Sequence, residues 1–520
     1  MPELIFTSIR RAIWLCLSVA LIASAPTARS DTDPDALDDG VRVAIKALDE
    51  ILRAGPRPEI QAATLIQNSG LGVFTGDVMP TAEVFSSVRG LGLDRVSART
   101  TDFRLTLGQI AQLYGAQDNT VVVEAQSLPG AQALVIDSGT VTVESLFEAA
   151  RVAGVQDDGG AGYNLLRAPL IIGADATLVL SPGDVLRLSR PDGAFIANFG
   201  RIEVIGATIE GVGPTNPNAT EFLPFVVNAG GASVVARNSH FRALGFGSEA
   251  KFGGFSIVRN PVLVRRDEIV IEGNVFENLN SVAMSLTDNV VIKNNRFRNS
   301  RAAALIISRT NNAKVIGNIF FGPLPETYGR LPSASNAVRI NFASRNALVS
   351  GNLIIHGFRA GVAIRTRSHS VRVENNVIYN RGGAGVTLRD VNCAIIQNNV
   401  VVENHQKGVE IRSGNRAVIK GNLLLGNRSP AVYLADQLDD ETTLIQENTF
   451  VRNGAGLGGA TGAVYALVGN NFAKQFPRFV QGDLAHLSNQ VIEALGGESP
   501  LVLTAGGLMN VPVPNVSCTE

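Results

Sequence analysis

Arg365, Arg389 and Arg412 each stand four residues after a small residue, in GVAIR from Gly361, GVTLR from Gly385 and GVEIR from Gly408. Strands of this kind stacked in register would bring the three guanidiniums into one row. Like charges so close cost energy unless an anion lies against them, or Glu410 and Asp390 neutralise them. The row is read as a ladder that grips carboxylates along a polymer; the competing reading is a solvated basic surface with local salt bridges. Two residues after the small residue, a second outward column reads Arg339, Ala363, Thr387, Glu410 and Tyr433. With Lys407 just before Gly408, the expected binding set is Arg339, Arg365, Arg389, Lys407, Glu410 and Arg412. His405, in ENHQKGVEIR, precedes the Gly408 strand by three residues. A free imidazole there can serve as a general base or acid, or be an ordinary turn residue. Arg389 is the candidate cation beside it. Tyr433 is a candidate acid at the end of the row, unless it only packs. None of the five His forms H-x-H or H-E-x-x-H, so no metal and no cofactor is expected.

The elements that must position these groups come from a repeat. Asn274, Asn295, Asn318, Asn352, Asn376, Asn399, Asn422 and Asn448 recur every 21–26 residues with one longer gap, in frames such as SGNLIIHG and KGNLLLGN. A fixed period of this size marks stacked units that cannot bury an apolar face alone. Alternating V-x-I and V-x-L runs broken by Gly and Asn read as strands. Val362, Val386 and Val409 then point inward, and the residues between them point out. Coils lie about 4.8 Å apart, a spacing at which Asn side chains can hydrogen-bond up the column. The predicted fold is all-β dominated, a right-handed parallel β-helix over residues 166–470. An N-terminal α/β cap segment is expected over 31–165 and a C-terminal cap over 471–520. Within the first cap, the acidic 31–40 is expected to be flexible, 41–54 helical, and NTVVVEA strand-like. SGTVTVESLFEAARVAG is expected to be a strand and then a helix opened near Thr142. Residues 323–335 interrupt the period and read as a loop leaving the surface. LSNQVIEALGG (487–497) reads as a helix.

Composition bounds the setting. Arg10 and Arg11 precede the apolar run AIWLCLSVALIASA and a plausible cut after Ser30, so residues 1–30 read as a signal peptide of an exported bacterial protein, periplasmic or secreted. No membrane span is expected after its removal. The only Trp, Trp14, lies in this leader. Cys393 and Cys518 remain beyond it, and Cys393 in VNCAII is expected to be a buried free thiol on a strand. The whole chain is −1, but residues 331–430 hold eleven Arg and two Lys against Glu374, Asp390, Glu403 and Glu410, a net of +9. A basic zone on an otherwise acidic exported chain points to a polyanion, with acidic polysaccharide preferred over nucleic acid.

LRAPLIIGADATLVL, RLSRPDGAFIANFGRIEV and TEFLPFVVNAGGASVVARNSHFRALGFGSEAKFGGFSI resemble, in order and spacing, the early coils of the periplasmic mannuronan C5-epimerases, the alginate-modifying β-helix family. ENHQKGVEIRSGNRAVIKGNLLLGN resembles the later coils. The likeness runs over most of residues 138–500. The family carries an Asp-Pro-His-Asp run whose His is the catalytic base. The corresponding coil here, AAALIISRTNNAKVIGN, offers Leu305, Ile306, Ile307 and Ser308 instead. The slot of the family's carboxylate-neutralising Arg falls at Phe342, with Arg339 and Arg345 nearby. The resemblance implies an exported C5-epimerase-like protein acting on a polyuronate such as alginate. Removal of a C5 proton needs a base, a cation on the carboxylate and an acid, here assigned to His405, Arg389 and Tyr433. Two other readings stay open. One is a non-catalytic polysaccharide-binding or scaffold protein, working with other periplasmic export proteins. The other is a polyuronate lyase, which shares the proton abstraction.

Overall fold

The computed structural model describes residues 33–509 except 56–59, 77–95, 115–117, 129, 156–162, 248–249, 260–267, 324–335, 438–441, 461, 495–499 and 505, and also residue 516. The leader at 1–30 and most of the interrupting loop at 323–335 lie outside the described residues. Two compact units are formed, one by residues up to 81 with 315–321 and 346 onward, the other by 82–314 with 322–345. The segment expected to be a single cap over 31–165 is thus divided between them.

In both units short strands stack in parallel as coils of a β-helix, the fold the repeat predicts. The period works through two devices. The residue before each repeating Asn is in the left-handed region, as at Gly351 (φ 64°), Asn375 (φ 60°), Asn398 (φ 52°) and Gly421 (φ 62°). Only Gly and Asn adopt this bend at low cost, which explains the G-N and N-N frames. The Asn that follows is fully buried and bonds its neighbour one coil on. Asn399 Nδ2 donates to Asn422 Oδ1 (2.9 Å) and to Val373 O (2.8 Å), and Asn399 Oδ1 accepts from Asn376. In the first unit the ladder runs through Asn318, Asn352, Asn376, Asn399, Asn422, Asn448 and Asn470. A second ladder, not anticipated, joins Asn404, Asn427, Asn453 and Gln475 five residues further along each coil.

In the first unit four of the strands that follow a ladder Asn are rich in apolar residues: Leu353–Ile355, Val377–Tyr379, Val400–Val402 and Leu423–Leu425. Their middle residues point into the coil, and Leu353, Val377, Val400 and Val402 beside them are fully buried too. A strand buried on both faces reads as a continuous apolar run. The N-terminal helix Pro34–Arg53 supplies the second cover with Val41, Ala44, Ile45 and Leu48. Residues 34–40, expected to be flexible, form its first two turns. Asp35 pairs with Arg452 and Lys474, Asp38 with Arg452 (3.3 Å), and Arg42 with Glu403. Anionic residues suit a helix N-terminus, and these also meet cations on successive coils. At the other end of the helix, Asp49 bonds the buried His356 (2.8 Å), whose second ring nitrogen meets Asn380 (3.0 Å).

In the second unit the matching strands alternate instead, as in His240–Arg242, Val275–Glu277 and Arg296–Arg298. Arg187, Glu210, Arg242, Glu277 and Arg298 stand opposite one another on successive coils, with signs alternating along the column. Coils already begin at Gln132–Val141, which pairs in parallel with Leu170–Leu180, ahead of the expected start at 166. Thr142 closes a capping box with Ser145 and opens the helix Val143–Val152, as its sequence predicts. Residues Thr120–Glu124, expected to be strand-like, are helical, because Val122 is drawn into an apolar cluster with Phe103, Leu107 and Ile110 of the helix Phe103–Tyr114. In the first unit the helix Ser488–Ala494 falls where the sequence places one, and Leu501–Thr504 pairs antiparallel with Val464–Val468 at the end of the stack. Cys393 is half-exposed and disulfide-bonded, a correction to the buried free thiol read from its strand.

Candidate functional site

Val362, Val386 and Val409 align on adjacent strands and are fully buried, as are Ile364, Leu388 and Ile411 two residues on. The alternation of a strand therefore turns the residues between and beyond them outward. Arg365, Arg389 and Arg412 are direct register partners on three successive coils of the first unit. Arg389 is exposed, whereas Arg365 and Arg412 are half-buried. The Nε of Arg365 is buried and has no hydrogen-bond partner. Desolvation pulls the Arg365 guanidinium below its ordinary pKa, and the charges of Arg389 and Arg359 add to that, with Glu410 opposing. An arginine does not shed its proton at physiological pH. The shift therefore measures how far this cation would gain from an anion.

Glu410 sits beside the row, about nine-tenths buried. Its carboxylate accepts from Arg412 Nε (2.9 Å) and lies 3.3 Å from Lys407 Nζ. Burial pushes the Glu410 carboxyl up, but Arg412 and Lys407 outweigh it and hold the group below the usual glutamate range. Glu410 is thus a fixed anion that orients two cations, and a weak base. Tyr433 is its register partner one coil on, with Lys407 Nζ 5.2 Å and the Arg412 guanidinium 5.6 Å from the ring centre. Lys407, Glu410, Arg412 and Tyr433 form one contiguous group.

His405 follows the ladder residue Asn404 in the turn that leads to this strand, and its backbone N–H donates to Arg381 O (2.8 Å). Burial, with the charge of Arg428, lowers the imidazole pKa. The ring is therefore in the free-base form at neutral pH. No hydrogen bond or ion pair among the described residues joins it to Arg389, Arg412 or Tyr433. Arg359 and Arg428, which the sequence reading did not select, add charge on the turn side; the +9 zone was the signal for them. Arg339 belongs to the second unit, half-buried and opposite Ile306.

The coil that the resemblance aligned with the catalytic run lies in the outward column of the second unit. Val135, Ile171, Ala197, Val227, Ser256, Ala283, Ile306 and Arg339 are register partners on successive strands. The first four are buried in the cluster formed with the helices 103–114 and 120–124. Ser256 bonds Lys251 O, and Ile306 packs with Ala283, Ala303 and Ala250. Ile306, where the resemblance leads one to expect the motif, is thus an apolar, covered position.

Residues 330–476 match the family described as periplasmic copper-binding protein (NosD). A mannuronan C5-epimerase of Pseudomonas aeruginosa is 30% identical over 134 residues, 24% of this chain and 24% of that protein. The matched segment thus spans about a quarter of that relative. The crystal structure of the periplasmic alginate epimerase AlgG superimposes with a TM-score of 0.56 at 16% identity, covering 78% of this chain and 98% of that one. A single-residue variant of AlgG gives 0.54 at 18% identity, covering 74% and 92%. The resemblance to mannuronan C5-epimerases read from the sequence holds, and the fold is that of the alginate epimerase. Copper in the matched family's name finds no donor set here: among the described residues no three His, Cys, Asp or Glu groups converge, and Cys393 is in a disulfide. No helix among the described residues is long and apolar enough to cross a membrane.

Proposed function

We propose that this protein is exported to the periplasm, or secreted, and there binds an acidic polysaccharide of the polyuronate type along Arg365, Arg389 and Arg412. It modifies the chain as a C5-epimerase-like enzyme. The observation that carries the reading is the register of the three arginines on adjacent strands, with a buried guanidinium nitrogen that lacks an acceptor. Cations repeating about every 4.8 Å present a row of charges along which successive carboxylates of a polyuronate can lie. A carboxylate held by Arg389 acidifies the neighbouring C5–H, because the guanidinium stabilises the enolate-like charge that develops. His405, kept in its free-base form, is the candidate to take the proton. Tyr433, flanked by two cations, is the candidate to return one to the opposite face. Likeness to alginate epimerases supports the substrate class.

A second reading, a non-catalytic polymer-binding protein of an export complex, is favoured by one observation. The coil that should carry the catalytic His presents Ile306 in an apolar cluster. One series of measurements separates the two. Affinity for oligouronates should fall steeply with salt, since an exposed row acts through screened charge. Replacing Arg365, Arg389 and Arg412 together with Ala should weaken binding by about tenfold or more, while replacing the exposed Arg99, Arg104 and Arg151 should not. Equal effects of the two sets would sink the row as the binding site. C5 proton exchange into deuterated water supports the enzyme reading; intact binding without exchange supports the second.

A further inference from the structure

We infer that the second unit carries a separate sugar-stacking subsite at Phe342, which takes the apolar face of a pyranose ring in the polysaccharide; this rests on the reading of the protein as a polysaccharide binder. The residue after each outward strand is left-handed on coil after coil: Leu286 (φ 55°), Arg309 (φ 50°) and Phe342 (φ 55°) in this unit, and Asp390, Ser413 and Asp436 in the other. The bend needs a residue that tolerates positive φ, for which Gly, Asn or Asp is the low-cost choice. A phenyl ring has no conformational reason to be there. Nor has it a burial reason, since Phe342 is 48% exposed. Large apolar side chains kept in unfavourable backbone conformations, in water, point to a ligand.

The surroundings fit a sugar. The Arg309 guanidinium stands over the ring, 5.6 Å from its centre, while about half of the Phe342 surface stays exposed. Arg309 and Arg345 are exposed beside it and can donate to hydroxyl or carboxylate oxygens. Asn341 precedes Phe342 on the outward side of Val338–Asn341, and its Oδ1 is buried without a donor, a group that gains from a sugar hydroxyl. The tip is held firmly: the fully buried Ser344 Oγ donates to Asn341 O (2.9 Å) and accepts from Thr310 N (3.2 Å). A rigid tip loses little freedom on binding. Stacking of C–H bonds on an aromatic face does not depend on salt, so this subsite would bind where a cation row does not.

Calorimetry with an oligouronate and with its carboxyl-reduced, neutral counterpart tests this, at low salt and at about 1 M salt, where the screening length is only about 3 Å. The wild type should bind the neutral oligosaccharide and keep part of its affinity for the acidic one at high salt. Phe342→Ala should reduce both by at least tenfold, and Phe342→Tyr should retain them. Phe342→Gly guards against a folding artefact: it suits the left-handed bend, so it should melt no lower than the wild type and still lose the binding. High-salt binding unchanged in the Ala and Gly variants would overturn the inference. So would a wild type that binds the acidic oligosaccharide at low salt only, which leaves the arginine row standing. No binding of either oligosaccharide under any condition would overturn both.

Discussion

His405 is the residue on which the enzymatic reading turns, and its environment fixes the shape of a pH profile. Its folded pKa is depressed by burial and by Arg428, so the free base persists below the pH at which an ordinary histidine is half-protonated. Exchange at C5 should therefore stay level through neutral pH and fall only below about 6.5, the usual histidine value. His405→Ala should reduce exchange by about 10²-fold or more. An unchanged rate in that variant removes His405 from the mechanism. A profile falling near pH 4 would assign the proton to a carboxylate. Glu410 is a poor alternative, since Arg412 and Lys407 hold it ionised and occupied.

The coil as an element is specified by its buried amides. Asn399 donates to Val373 O, Gln397 O and Asn422 Oδ1, and accepts from the backbone and side chain of Asn376. Asn399→Leu keeps the branched shape and orphans these groups, at a cost on the order of 3 kcal/mol or more. Asn398→Gly, at the left-handed bend just before it, should change stability by less than about 1 kcal/mol. Denaturant unfolding of the two variants checks the pair. Similar losses in both would mean that the bend, and not the ladder, holds the coil. The same ladder keeps the strands carrying Arg389 and Arg412 in register, so Asn399→Leu should also weaken polyuronate binding.

At the scale of the whole molecule, each unit adds covers to its coils. In the first, the helix Pro34–Arg53 shields apolar strands and is pinned by Asp35, Asp38, Arg42 and Asp49. Hydrogen bonds from Lys474 and Arg452 hold the Asp35 carboxyl below its ordinary value. At Asp49, burial acts upward, but His356 and Arg53 outweigh it, so that pKa is lowered as well. A carboxylate with a depressed folded pKa stabilises above its unfolded pKa, about 3.9, and that contribution is lost as pH falls through the folded value. Protection of the amides of residues 34–53 against exchange, relative to their intrinsic rates, should thus be high at pH 7 and fall below about pH 4, ahead of that of the amides in Val386–Gln397. Simultaneous loss of protection in helix and strand would show that the helix is not held by these pairs. Once loosened, it should leave Leu353, Val377 and Val400 open to water and the protein prone to associate.

The sequence by itself determined the coil: period, inward valines, Asn column and the alignment of Arg365, Arg389 and Arg412 follow from residues 21–26 positions apart. Those contacts are nearly local and repeat, so each coil restates the same constraint. The apolar triplets LII, VVV and LLL also carried a signal for a second cover, which a reading centred on Asn passed over. Only the tertiary structure decided which outward faces stay open. Val122 enters a helix and not a strand because Phe103 and Leu107 of the helix Phe103–Tyr114 join it in one apolar cluster with Val135 and Ile171 of the coils. Asp35 and Asp38 lie in a helix because Arg452 and Lys474, some four hundred residues on, present cations to them. Ile306 occupies a groove position because Ala250 packs over it. Such pairings join residues with no common period, and burial of a face is a property of what folds onto it, so no spacing within the repeat could have announced them.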